Sequence, residues 1–129
     1  MKPELNLLVW AVALTVVQML VAVTGAFNRV GLMKLVGNRE GMPEITGWAG
    51  RAERAHLNML QNLVLFAALV LAAVAMGKAN DMTLLGAQIF LWSRVAYAII
   101  YVAGLAWLRT LSWVASVVGL VIIFAQVVK

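Results

Sequence analysis

Polar side chains capable of chemistry fall into a few groups in an otherwise apolar chain. Arg51, Arg54, Asn58, Gln61 and Asn62 recur at helical spacing, within an arc of ~100° at ~3.6 residues per turn. Arg94, Tyr97 and Tyr101 share a second helical face, and Arg109, Ser112, Trp113 and Ser116 a third. Gln18, Gly25 and Asn28 can line one face of the first apolar run. Guanidinium, amide and phenol groups with no carboxylate among them are suited to holding an anion by charge-assisted hydrogen bonds. Arg109 is the sharpest feature, because it immediately precedes Thr110, a candidate N-cap for a following helix. An arginine beside a helix N-terminus favours an anion, and a thiol placed there is shifted toward its thiolate. The chain has no cysteine, so such a thiol has to come from a ligand.

Each group also has a plainer reading. Arg94 has no carboxylate partner at its own depth, and is either an interhelical strut or part of an anion site. The Asn58, Gln61 and Asn62 cluster is either interhelical glue or ligand-binding. Tyr97 and Tyr101 alone would read as core aromatics. His56 lies off the polar stripe and reads as an interfacial or packing residue.

The elements that must position these residues follow from composition. Of 129 residues, 64% are hydrophobic and 12% charged, against roughly half and a quarter in a soluble domain. That excludes a soluble enzyme, a disordered chain and a disulfide scaffold. One histidine and five carboxylates leave little for a metal centre. Leu5 to Asn28 contains no charged residue; as a helix it is ~36 Å long, enough for a ~30 Å hydrocarbon core and too long for a signal-peptide h-region. Further spans are expected over about 55–77, 82–108 (interrupted only by Arg94) and 111–128. No segment alternates with the period of a β-barrel. The sequence predicts a single domain, 1–129, of the all-α integral membrane class, a bundle of four transmembrane helices.

The long connection, about 29–54, is punctuated by Gly31, Gly37, Gly41, Pro43, Gly47 and Gly50. It carries five of the ten basic residues, Arg29, Lys34, Arg39, Arg51 and Arg54, and Arg109 falls on the same side. The positive-inside rule makes that side cytoplasmic, with both termini outside. The net charge of +5 is then a topology signal and a match to anionic lipid, and no nucleic-acid partner is expected. A proton-coupled multidrug-type transporter needs an acid within a span, and none of the four spans has one.

The string RAERAHLNMLQN, residues 51–62, resembles the most recognisable motif of the MAPEG family, the membrane-associated proteins of eicosanoid and glutathione metabolism. GNREGMPEITGWAGRAERAH, residues 37–56, resembles the loop of bacterial members, and SRVAYAIIYVAGLAWLRTLSW, residues 93–113, the family's third-to-fourth-span segment. The resemblance implies a homotrimer of four-helix protomers in a bacterial inner membrane, its termini periplasmic. It implies glutathione as co-substrate, bound between neighbouring protomers near the cytoplasmic side. The implied activity is a glutathione-dependent transferase or peroxidase acting on lipophilic electrophiles or lipid hydroperoxides, which arrive from the membrane lipids through a cleft between helices one and four.

By the same resemblance, Arg54 and Asn58 match the motif's glutathione-contacting arginine and asparagine. Gln61, Arg94, Tyr97 and Tyr101 complete the tripeptide site. Arg109 matches the arginine held to stabilise the thiolate in some members, and Thr110 a position implicated near the sulfur. Leu57, Gln61 and Trp113 depart from the family pattern, where a basic residue, a glutamate and a tyrosine are common. These departures sustain an alternative: a non-catalytic member that binds lipid or another anionic small molecule, or scaffolds a membrane partner.

Overall fold

A computed structural model describes residues 3–31 and 45–129. Their helices are α1 (Pro3–Val30), α2 (Gly47–Ala75), α3 (Asp81–Ala103) and α4 (Ala106–Val127), and these residues contain no strand. All four helices are long and apolar enough to cross a membrane. Lys2, Lys34, Gly37, Arg39, Gly41 and Pro43, which bear on topology and on the loop, lie outside the described residues.

Helix boundaries follow from local chemistry. Asn80 opens α3 with a capping box: its side chain accepts from the Met82 and Thr83 amides, both at 2.9 Å, and the Asn80 amide donates to Thr83 Oγ1 at 2.7 Å. At the other end Gly104 takes a left-handed conformation, φ 86°, and its N–H donates to the Ile100 and Tyr101 carbonyls. Leu105 N–H also donates to Ile100 O, so α3 ends in a Schellman-type turn. The third span therefore stops at Ala103 instead of running to 108, and the fourth helix starts at Ala106 instead of 111. Apolar residues on both sides of Gly104 hide the break, because a hydropathy run does not register one left-handed residue. Likewise α2 begins at Gly47, eight residues before the expected start at 55, so Arg51 and Arg54 stand on the helix proper.

Successive helices run antiparallel. Contacts join α1 to α2 and α3, α2 to α3 and α4, and α3 to α4; α1 and α4 do not touch among the described residues. Phe66 of α2 stacks on Phe90 of α3 with centroids 4.1 Å apart, and Met59, Val70, Ala87 and Ile123 pack around them. One end of the bundle holds the α1 C-terminus, the α2 N-terminus and the Gly104 turn. The other is tied by Lys78 Nζ to Lys129 O at 2.7 Å and Asn80 Nδ2 to Gln126 Oε1 at 2.9 Å.

Close approach of α3 and α4 depends on Gly86 and Gly119. A Cβ on Gly86 would stand 2.7 Å from Gly119 O, and one on Gly119 would stand 2.6 Å from Gly86 O. With no hydrophobic drive between helices in lipid, such contact supplies the packing energy. Gly86→Ala is expected to cost roughly 1–3 kcal/mol, as overpacking does. Reversible unfolding in mixed micelles measures it; an unchanged midpoint would show that α3 and α4 can separate freely.

Candidate functional site

The site grows from Arg94, in the middle of α3 and 1% exposed. Its Nη2 donates to Asn58 Oδ1 on α2 at 2.8 Å, and its Cζ sits 4.1 Å from the Tyr97 ring centroid. Its Nε and Nη1 are buried without a hydrogen-bond partner. No aspartate or glutamate occurs from Met82 to Lys129, or between Arg54 and Asp81. A buried guanidinium with two donor groups idle is an incomplete arrangement in a low dielectric. Asn58 is fixed from its own helix, since Asn62 Nδ2 donates to Asn58 O at 2.8 Å and to Asn58 Oδ1 at 3.2 Å. Asn58 bridges two helices through Arg94, whereas Asn62 bonds only within its own helix, and these bonds occupy only part of Arg94.

The tyrosines continue the cluster toward the Gly104 end. Tyr97 and Tyr101 meet edge to face, centroids 5.4 Å apart. Arg54 Nε donates to the Tyr101 hydroxyl at 3.3 Å, and Arg109 Cζ lies over the Tyr101 ring at 4.7 Å. Arg94, Arg54 and Arg109 are thereby arranged about two phenol rings, each ring satisfying a cation through its π-face. Arg51, one turn before Arg54, donates from Nε to Val102 O at 2.9 Å. It meets a carbonyl left free where α3 ends, and so ties α2 to the turn that sets α4.

Arg109 and Thr110 differ from expectation. Leu105, not Thr110, is the N-cap of α4, with no side-chain cap bond. Arg109 N–H already donates to Leu105 O at 3.0 Å, and Thr110 Oγ1 donates to Ala106 O at 3.2 Å within the helix. The free amides of α4 therefore belong to residues one turn earlier, and Arg109 contributes a side-chain charge without adjacent open amides. The chain reverses at Gly104, so Arg109 folds back level with Tyr101.

A polar cleft of about 150 Å³ is lined by Asn58, Tyr97, Arg109, Thr110 and Trp113. Arg54, Asn58, Arg94, Tyr97, Tyr101, Arg109 and Thr110 are thus gathered in one region. Gln61 is not: it is exposed on α2, as is Leu57 at 49%. His56 is half-buried, and its Nδ1 has no partner. Helical spacing places Arg51 in the stripe but does not disclose its anchoring role; Gly104, a turn residue within an apolar run, is the available signal.

The description "MAPEG family" belongs to the family model that matches this chain, over residues 7–129. The chain belongs to the MAPEG family. No curated protein and no solved structure matches it. In this MAPEG protein the matched segment includes every residue of the polar cluster, so the site is built on the family's own framework. The protein is an integral, multi-pass membrane protein by its helices and its family.

Proposed function

We propose that this MAPEG protein is a glutathione-dependent membrane transferase or peroxidase for lipophilic electrophiles or lipid hydroperoxides. The observation that carries the reading is the convergence of Arg54, Arg94 and Arg109 on two tyrosines, with no carboxylate beside them among the described residues and with Nε and Nη1 of Arg94 unpartnered. Such a site calls for an anion with more than one acceptor group. Glutathione brings two carboxylates and a thiol that works as thiolate. In this reading Arg54, Asn58, Gln61, Arg94, Tyr97 and Tyr101 hold the tripeptide. Arg109 balances the sulfur's negative charge, and Thr110 lines the same cleft. The thiol proton leaves to water first. The thiolate then bonds to the electrophilic atom as that atom's bond to its leaving group breaks, or takes the terminal oxygen of a hydroperoxide as the O–O bond breaks. In the second case the alkoxide gains a proton from water, and a second glutathione converts the sulfenic acid to the disulfide and water.

One protomer supplies only part of such a site. A cleft of about 150 Å³ is smaller than the ~300–1,000 Å³ of pockets that enclose small molecules. A second copy closing the exposed flank, which includes Gln61 and Trp113, is the arrangement a homotrimer would give. That α1 and α4 are not packed against each other among the described residues supports an entry cleft between helices one and four formed by neighbouring copies. The bias of Arg29, Arg51, Arg54 and Arg109 toward one end supports a cytoplasmic site with both termini on the opposite side, and the resemblance of residues 37–56 to the loop of bacterial members supports a bacterial inner membrane.

The competing reading is a non-catalytic member that binds lipid or another anion, or scaffolds a membrane partner. The exposure of Gln61 and Leu57 favours it. The cleft then offers glutathione's ammonium no carboxylate, and its one amide side chain, Asn58, is already engaged by Arg94. Titrating purified, detergent-solubilised protein with glutathione while following thiolate absorbance separates the two. A saturating thiolate signal is expected. Binding without the signal, or no binding at millimolar concentration, would favour the non-catalytic member.

A further inference from the structure

Away from the polar cleft, an apolar groove of about 410 Å³ opens among α1, α2 and α3. Leu14 and Val21 of α1, Ala55 of α2, and Val95 and Ile99 of α3 form its walls. Among the described residues its one hydrogen-bonding side chain is Gln18, 7% exposed, whose Oε1 is buried with no partner. The groove is separate from the glutathione-type cluster. On α3 the residues Val95, Ile99 and Val102 are set about 100° around the helix from Arg94 and Tyr101.

We propose that this groove binds an acyl chain carrying a neutral hydroxyl near its middle, with Gln18 as the hydrogen-bonding partner. Four observations define the occupant. The walls are apolar and suit methylene groups. Among the described residues no charged side chain lines the groove, so the recognised group is neutral. Gln18 sits fifteen residues from Pro3 and twelve from Val30, about 22 Å and 18 Å along α1, so its partner lies near mid-membrane, out of reach of a headgroup at either interface. An unmatched amide in hydrocarbon is costly, and a hydroxyl satisfies it whichever way the amide is turned, because it both donates and accepts. This site stands independently of the glutathione reading, since it shares no lining residue with the polar cleft.

The test is native mass spectrometry of delipidated full-length protein in detergent, titrated with 12-hydroxyoctadecanoic acid or with octadecanoic acid. The two probes share headgroup and chain length and differ by the mid-chain hydroxyl. The hydroxylated acid should bind roughly three- to thirty-fold more tightly, the range of one hydrogen bond within a membrane. Gln18→Leu should abolish that preference while retaining binding of octadecanoic acid. Ala98→Phe, which fills the groove, should remove saturable binding of both. Gln18→Asn, which keeps an amide but shortens it by one methylene, should weaken the preference, and serves if the leucine variant fails to fold. Equal affinity of the two acids for the wild-type protein would overturn the proposal. So would a preference that survives Gln18→Leu, saturable binding that survives Ala98→Phe, or no saturable binding at all, the result expected if a second copy of the chain fills the groove.

Discussion

Arg109→Ala is expected to lower glutathione-dependent turnover by about two to three orders of magnitude, the loss seen when one preorganised donor to a developing anion is removed. Binding of the tripeptide should weaken far less, because Arg54 and Arg94 remain. The split follows from placement. Arg109 stands on α4 over the Tyr101 ring and lines the cleft with Thr110, whereas Arg94 is sunk behind Tyr97 against Asn58. Because the free amides of α4 sit one turn away, nothing in the first turn replaces the lost charge. Arg109→Lys keeps a cation but loses the guanidinium that lies over the Tyr101 ring, and should recover only part of the rate. The measurement is the thiolate signal and the conjugation rate of each variant at saturating glutathione. Undiminished turnover in the alanine variant would remove Arg109 from the reaction.

Arg94→Met separates stability from binding. The buried guanidinium makes one side-chain hydrogen bond, to Asn58, and leaves Nε and Nη1 unmatched. Replacing such a group by an apolar side chain of similar length is expected to leave the fold at least as stable, because the desolvation cost disappears with the charge. Asn58→Leu alone should destabilise by roughly 1.5–3 kcal/mol, since it strands Arg94 without that bond. The double variant should recover the loss, a coupling that a double-mutant cycle of reversible unfolding in micelles measures. Glutathione binding by Arg94→Met should fall about ten- to hundredfold, the value of one hydrogen bond to a charged group. A destabilised Arg94→Met with normal binding would make Arg94 a strut alone. The idle donors are the kind of local cost that folds retain where a ligand completes the site.

Much of the architecture is legible in the amino-acid sequence. Charge-free runs of membrane length mark the helices, and 3.6-residue spacing puts Arg54 with Asn58, and Arg94 with Tyr97 and Tyr101. Arg94 meets Tyr97, and Tyr97 meets Tyr101, as the periodicity indicates, because neighbours on one helix face are fixed by backbone geometry alone. Gln61 shows where that reasoning stops. Its spacing puts it on the stripe, yet α3 and α4 cover only part of that arc, and Gln61 is left exposed. The Thr110 cap does not form, because α4 starts a full turn earlier than its hydropathy suggests. A left-handed Gly104 inside an apolar stretch moves that start to Ala106.

Membrane class, helix count, family framework and the identity of the cationic cluster all follow from residue order. Each rests on local quantities: run length, composition, helical period and motif spacing. Three facts come from the folded arrangement instead. Arg109 lies level with Tyr101, Asn58 is the single side-chain hydrogen-bond partner of Arg94 among the described residues, and Gln18 faces an apolar groove. They depend on where the chain reverses and on how closely helices approach. The reversal is set by one glycine conformation. The approach is set by contacts between residues far apart in the chain, such as Gly86 with Gly119, and helical period carries no information about them.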